Sequence, residues 1–257
     1  GLLAIGYPFA DGAQAKATLT VRDKPDGPRT TIAREQWTLA RIDQGREVAD
    51  DRHVLLRTGF EPGRIYELGY EARDPVVTGL GLAAIRDAVS FFRYQDRDRA
   101  GTPNPLLTGD GRLPRHVLGF GLSQSGRVIQ TLLLDGLEID EQRRPVFDGA
   151  FVHVAGGGKG GFNYRFAQTT RHFSHYEESI YPTDYFPFAT TVQRDPVTGR
   201  RASVLDHARE ARAVPRLIYT ASSTDYWVRA ASLLHTDPIG REDIDLDPKA
   251  RAYLLAG

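Results

Sequence analysis

The segment 116–136 joins a short apolar strand to an amphipathic helix through a tight turn, and it constrains the fold more than any other stretch of the chain. Residues 116–120 form an apolar run, and the turn that follows consists largely of glycine and serine. From residue 126 to residue 136, apolar side chains recur at the steps of one helix face. The segment therefore predicts a strand that passes directly into a helix.

Similar apolar runs predict three further buried strands, at residues 147–155, 216–220 and 251–257. Helical patterns accompany them at residues 80–94 and 230–235. Buried strands that alternate with helices favour an α/β fold, with a mostly parallel central sheet and helices on both faces.

The N-terminal third has a different character. Short strands at residues 36–39, 53–56 and 64–72 predict a β-rich part, for which we expect antiparallel pairing. An aromatic, proline-rich stretch at residues 160–205 predicts an irregular insertion that resembles a lid. We expect residues 1–257 to form a single domain. We also expect it to be incomplete at both ends, because the chain begins without methionine and ends directly after its last predicted strand.

Composition argues against several classes of function. Lysine plus arginine and aspartate plus glutamate both number 33, so no charge surplus favours a nucleic acid or an anionic membrane. The chain has no cysteine, which excludes disulfides, thiolate metal sites and a cysteine nucleophile. No apolar run approaches the ~18 residues of a membrane span. We expect no metal, no nucleic-acid partner and no membrane partner.

Two glycine-rich stretches match nucleotide-binding motifs only in part. Residues 79–84 fit G-x-G-x-x-A, but no strand runs directly into the first glycine, as the dinucleotide fingerprint requires. Lys159 is followed by Gly160 rather than by the serine or threonine of a P-loop. We therefore predict no cofactor, and we interpret the glycine run 156–158 as a flexible exit from a strand.

The turn at residues 119–127 fits the nucleophile elbow, G-x-S-x-G, in which a serine on a strained turn projects above the sheet. Ser123 is the predicted nucleophile, and Ser125 replaces the last glycine of the pattern. The backbone N–H of Gln124, at the start of the helix, would face a developing oxyanion. The alternative is a plain Gly/Ser turn in which Ser123 or Ser125 caps the helix.

Asp225 follows the strand at 216–220, where the acid of a Ser–Asp–His triad belongs in chain order. Its alternative role is to cap the next helix. None of the seven histidines lies after the last strand, where the base belongs. His153, near a strand end, is the best internal candidate. We expect the base just past Gly257, in a longer chain, and little activity from the 257-residue piece alone.

Several segments resemble a family of bacterial α/β-hydrolase-domain proteins, most of them known only as predicted serine hydrolases. The resemblance runs from about residue 50 to the end of the chain, and the elbow also resembles that of glucuronoyl esterases and tannase/feruloyl esterases. The resemblance to the α/β-hydrolase-domain family rests on residues 73–87, 119–127, 153–158, 162–168, 219–227 and 232–236.

The resemblance implies the α/β-hydrolase fold and cofactor-free hydrolysis of a small-molecule ester. It implies Ser123 as nucleophile, Asp225 as acid and a histidine in a short turn after the last strand. Arg127 and Arg165 are candidates to hold a substrate carboxylate, although arginines are abundant in this chain. The competing hypothesis is a non-catalytic binding or scaffold domain. The sequence leaves the oligomeric state open, and the compartment as well: periplasmic, secreted or cytoplasmic.

Overall fold

The computed structural model describes residues 1–160 and 184–256, which fall into two compact units. Residues 1–78 belong to the first unit, and residues 79–160 and 184–256 belong to the second. This division follows how contacts cluster along the chain and does not test whether residues 1–257 form one domain. The single domain therefore stays a prediction.

The first unit consists of two antiparallel three-stranded sheets, which confirms an antiparallel, β-rich N-terminal part. In the order β1-β5-β4, the first sheet contains Leu2–Ala4, Arg46–Leu56 and Trp37–Asp43. In the order β3-β2-β6, the second contains Thr30–Ile32, Thr18–Arg22 and Ile65–Gly69. Gln44 and Gly45, both with positive φ, form the two-residue turn between β4 and β5.

The second unit contains a four-stranded parallel sheet in the order β12-β11-β8-β7. Its strands are Leu118–Leu122 (β7), Gly149–His153 (β8), Arg216–Ser222 (β11) and Ala250–Leu255 (β12). A small hairpin pairs Gln193–Arg194 (β9) with Arg201–Ala202 (β10). The helices are Gly81–Tyr94 (α1), Gln124–Leu134 (α2), Asp206–Glu210 (α3) and Ser223–Val228 (α4).

One face of the parallel sheet carries the core of this unit. Small and apolar side chains such as Ala150, Val152 and Leu217 alternate along the strands towards this face. Against it pack Ile129 of α2 and Ala208 of α3. The small side chains on this face let the helices approach the sheet closely.

The opposite face is exposed along β7. Leu118, Phe120 and Leu122 on this strand are 74%, 64% and 51% exposed. The parallel sheet is therefore confirmed within the described residues, whereas its covering by helices on both faces is not.

The predicted elements of the second unit are present, with shifted bounds. The helix expected at residues 126–136 begins at Gln124, directly after the turn. The short helix expected at residues 230–235 is a 3₁₀ turn, Ala231–Leu234. Helix α4 was not predicted, because a six-residue helix shows too few turns for a periodic pattern.

Part of the predicted insertion at residues 160–205 lies outside the described residues. Its described part, residues 184–205, contains only the two-residue strands β9 and β10 as regular structure. Irregular backbone is therefore observed where the structure describes this stretch.

Glu138 is a buried carboxyl group in the connection between α2 and β8. It is 2% exposed, and neither carboxyl oxygen has a hydrogen-bond partner among the described residues. Burial raises the pKa of Glu138 to about 7, and the nearby Asp135 adds to this effect. Between about pH 4 and pH 7, the folded protein therefore keeps a proton on this group that the unfolded chain has already released.

We expect this group to make the protein less stable as the pH rises from about 4 to about 7, with no further loss above that range. Glu138→Gln should abolish this part of the pH dependence and raise the free energy of unfolding at pH ~8 by about 1 to 3 kcal/mol. Urea unfolding across this pH range measures both effects. Glu242→Gln, at an exposed position of the same unit, is the control and should change neither. An unchanged pH profile in Glu138→Gln would contradict the assignment.

Candidate active site

Ser123 occupies a strained turn between β7 and α2. Its backbone has φ 53° and ψ −117°, a conformation that non-glycine residues rarely adopt. The backbone N–H of Ser123 donates to the carbonyl of His153 at 2.8 Å, so the hydrogen bonding between β7 and β8 continues to the turn itself. Ser123 is exposed, at the carboxyl end of a parallel strand. Active-site groups collect at this end of such sheets.

Two glycines let the helix pass close to the strand. A Cβ on Gly121 would lie 2.6 Å from the backbone nitrogen of Gly126, and one on Gly126 would lie 2.6 Å from the Cβ of Ala155. Both distances are shorter than real Cβ contacts, so neither position tolerates a side chain without movement. The structural pattern is therefore Gly-x-Ser-x-x-Gly, with Gly126 rather than Ser125 at the close contact.

Ser125 has a structural role in the turn. Its hydroxyl accepts from the backbone N–H of Leu122 and donates to the carbonyl of the same residue, both at 2.8 Å. Ser123 stands at the position before the helix, yet its side chain makes no capping hydrogen bond. Capping of α2 by Ser123, the alternative that the sequence left open, is therefore not observed.

Gln124 is the first residue of α2, so its backbone N–H precedes the first intrahelical hydrogen bond. The positive end of the helix dipole lies at the same place. An anion next to Ser123 would therefore meet a free backbone donor and a favourable field. The role of Gln124 as oxyanion donor stays a prediction.

Asp225 lies in the first turn of α4, directly after β11, and it takes part in the capping box of that helix, whose N-cap residue is Ser222. Its Oδ2 accepts from the backbone N–H of Ser222 at 2.9 Å and from the Ser222 hydroxyl at 2.6 Å. The backbone N–H of Asp225 donates back to the Ser222 hydroxyl at 3.2 Å, which completes a capping box. The sequence left open a cap on the next predicted helix, at residues 230–235, whereas the structure has Asp225 in the capping box of α4. Both hydrogen bonds that the carboxylate accepts from Ser222 use Oδ2, so the capping box leaves Oδ1 for a catalytic role.

The strand register brings the two predicted catalytic segments to one edge. Leu122 of β7 pairs with His153 of β8, which pairs with Thr220 of β11. Neighbouring strands lie about 4.8 Å apart, so the ends of β7 and β11 are about 10 Å apart. A triad needs an additional side chain across this gap.

No hydrogen bond or ion pair joins a histidine to Ser123 or Asp225 within residues 1–160 and 184–256. His172 and His175 lie outside the described residues. Each of the other five contacts a different partner: His53 contacts Asp50, His116 contacts Asp148, His153 contacts Thr220, His207 contacts Glu210, and His235 contacts both Tyr226 and Asp243.

His153, the best internal candidate for the base, has its Nδ1 2.6 Å from the Thr220 hydroxyl oxygen. Its ring stacks on Phe120, with centroids 6.4 Å apart and planes at 25°. The imidazole therefore lies along the exposed sheet face among aromatic side chains. Nothing in these contacts favours it as a base for Ser123.

Of the two predicted carboxylate-binding arginines, the structure describes one. Arg127 donates from Nε to the carbonyl of Ala155 at 3.0 Å and so ties α2 to the segment after β8. Arg165 lies outside the described residues. Substrate contact by either residue stays a prediction.

The loop 155–160 after β8 connects α2 to the segment after α4. Gln130 of α2 donates to the carbonyl of Gly156 at 2.8 Å, and Gly157 donates to the carbonyl of Arg229 at 2.8 Å. A Cβ on Gly156 would lie 2.6 Å from the Cβ of Arg229. The glycine run, interpreted from the sequence as a flexible exit, instead permits close backbone packing.

Lys159 is a fully buried lysine in this loop, and in the sequence it stands out only as part of an incomplete P-loop pattern. Its Nζ donates to the carbonyl of Tyr185 at 3.1 Å and to that of Pro187, and it lies 4.7 Å from the centre of the Phe188 ring. Burial lowers the pKa of Lys159 to about 7, although nearby Asp184 opposes the shift. Lys159 therefore holds residues 185–188 against the loop.

Two general features of the described residues also bear on function. No cluster of three or more histidine, aspartate or glutamate side chains in this part of the chain has the arrangement of a metal site. Of the helices in the same residues, none combines the length and the apolar character needed to cross a membrane.

We expect Gly121→Ala to lower the free energy of unfolding by about 3 kcal/mol, because the new methyl group meets backbone atoms that cannot move aside. Urea unfolding measures the change. Gly109→Ala is the matched control, since a Cβ there meets nothing within 4 Å, and it should be nearly neutral. Equal stability of the two variants would show that α2 does not pack as closely as described.

Asp225→Ala removes the carboxyl half of the capping box and should lower the free energy of unfolding by about 1 kcal/mol. Asp225→Asn keeps an oxygen that accepts from Ser222 and should retain most of that stability. Thermal or urea unfolding of both variants tests the capping role. If the two lose stability equally, the charge of Asp225 matters more than the hydrogen bonds.

Comparison with known proteins agrees with this architecture. A profile of the alpha/beta hydrolase domain family matches residues 21–257. Comparisons with curated proteins and with solved structures found no significant match. Because the family profile covers most of its length, the chain belongs to the alpha/beta hydrolase domain family.

Proposed function

We propose that this hydrolase-family protein is a serine hydrolase that cleaves carboxylic esters through an acyl-enzyme on Ser123. The observation that carries the proposal is the backbone of Ser123, at φ 53° and ψ −117° between a parallel strand and a helix. Strain of this kind in a non-glycine residue favours a functional role, since a less strained turn would serve a merely structural one.

The first step forms a bond between the Ser123 oxygen and the ester carbonyl carbon while the serine proton passes to a base. The resulting oxyanion accepts from the N–H of Gln124. Collapse expels the alcohol, which takes up the proton, and leaves an acyl group on Ser123. Water then cleaves this second ester by the same route, so the chemistry uses only protein groups and water.

The base in this proposal is a histidine that follows β12, as expected from the sequence. The register supports this position, because Leu255 of β12 pairs with Ser222 of β11. The end of β12 therefore lies beside the capping box that holds Asp225. In the order β12-β11-β8-β7, Asp225 and Ser123 lie on the same side of β12, so a loop that turns from β12 over the end of β11 would carry a histidine past the acid and towards Ser123.

A non-catalytic binding or scaffold domain is the second candidate. It is favoured by one observation: within the described residues, no histidine contacts Ser123 or Asp225. The two candidates differ in whether the Ser123 hydroxyl is chemically activated, and this difference is measurable.

We expect a fluorophosphonate probe to label full-length protein at Ser123, because an activated serine attacks phosphorus as it attacks a carbonyl carbon. Ser123→Ala should abolish labelling. Ser125→Ala is the matched control two residues away, and it should still be labelled because its hydroxyl serves only the turn. Gel fluorescence and mass spectrometry of the labelled peptide measure both.

The stability-matched Asp225→Asn variant completes this experiment. It should be labelled more slowly than the unaltered protein, although its helix cap is kept. Labelling that persists in Ser123→Ala would refute the nucleophile assignment. Folded, full-length protein that resists labelling altogether would support the scaffold domain instead.

A further inference from the structure

A cavity of about 530 Å³ lies on the core face of the second unit, away from Ser123 and Gln124. Strands β11 and β12 form one wall, and residues 226–246 contribute the other. Most of the lining is apolar, and it includes Ala221, Ala231, Leu234, Ile244, Leu246 and Leu254. A cavity of about 150 Å³ already accommodates benzene, so this one has room for a substituted ring.

A chain of three polar side chains reaches this cavity. The carboxylate oxygen Oδ1 of Asp243 lies 3.3 Å from Nδ1 of His235, and Nε2 of His235 lies 3.1 Å from the hydroxyl of Tyr226. The rings of Tyr226 and His235 pack with centroids 5.7 Å apart. All three residues line the cavity.

The chemistry of these groups sets the direction of the hydrogen bonds. A carboxylate only accepts, so Asp243 favours the proton on Nδ1 of His235. Neutral imidazole then has an acceptor at Nε2, and the Tyr226 hydroxyl donates to it. With its hydrogen used in this way, the Tyr226 oxygen offers the cavity an acceptor.

Tyr219 contributes the complementary group. It lines the same cavity and is 2% exposed. Burial raises the pKa of Tyr219, so the group stays a neutral O–H donor. A ligand in the cavity that carries an acceptor can therefore take a hydrogen bond from this hydroxyl.

We propose that this cavity is a binding site for a small aromatic or alicyclic molecule with a hydroxyl group, of which phenol is the simplest probe. The apolar walls take the ring. The ligand hydroxyl accepts from Tyr219 and donates to Tyr226, which neither a hydrocarbon nor an ether can do. The site does not depend on the proposed ester hydrolysis, because its lining includes neither Ser123 nor Asp225.

Trp227 provides a readout without any enzymatic assay. It lies on α4, is 80% exposed, and its ring centre is 5.2 Å from that of Tyr226. A ligand that contacts Tyr226 should therefore change the emission of Trp227. The other tryptophan, Trp37, is buried in the first unit and is not part of the cavity.

We expect phenol to change the tryptophan emission of the 257-residue chain saturably, at wavelengths that phenol itself does not absorb. Phenol should bind roughly fivefold to tenfold more tightly than toluene, because each extra neutral hydrogen bond contributes modestly in water. Anisole, which accepts but does not donate, should fall between the two. Trp227→Phe should remove the signal.

Three tyrosine-to-phenylalanine variants at the cavity form a matched set. Tyr226→Phe should weaken phenol binding to the level of anisole, and Tyr219→Phe should also weaken it. Tyr253→Phe is the control, since Tyr253 lines the cavity but takes no part in the proposed hydrogen bonds. Circular dichroism confirms that each variant is folded.

Several outcomes would overturn the proposal. They are toluene binding as tight as phenol, phenol affinity that Tyr226→Phe leaves unchanged, and an emission change that survives Trp227→Phe. The comparison of phenol with toluene uses the unaltered chain, so it decides the matter even if a variant does not fold.

Discussion

The close approach of α2 to β7 and β8 is the contact on which the geometry around Ser123 depends. Gly121 and Gly126 permit it, because a Cβ at either position would overlap atoms of the facing segment. Since the helix starts directly after the strand, the intervening residue has to take up the whole change of direction. The strained backbone of Ser123 is the consequence, and the exposed position of its hydroxyl follows from that strain.

The same contact extends through the loop 155–160 to the segment after α4. Gly126 packs on Ala155, Gly157 donates to the carbonyl of Arg229, and Lys159 binds the carbonyls of residues 185 and 187. One glycine-rich loop thus connects the helix after Ser123, the end of the helix that carries Asp225 and the described end of the insertion. A change in this loop would therefore reach all three.

Helix α4 serves two environments through adjacent residues. Asp225 turns towards Ser222 and completes the capping box, whereas Tyr226 turns towards His235 and the apolar cavity. Because successive residues on a helix point in different directions, one short helix contributes to both the sheet edge and the cavity. Fixing one of these contacts also restricts the other.

The strand–turn–helix at residues 116–136, the place of Ser123 in it and the α/β class can be predicted from the sequence, because strand and helix periods and small turn residues are encoded locally. The sequence also placed Asp225 after a strand. The packed fold was needed to show that Gly126 rather than Ser125 makes the close contact, that Asp225 belongs to the capping box of α4 and that the glycine run is packed. It alone brought Tyr226, His235 and Asp243 together beside Tyr219. These features depend on distances between residues far apart in the chain, and such distances arise only when strands and helices pack.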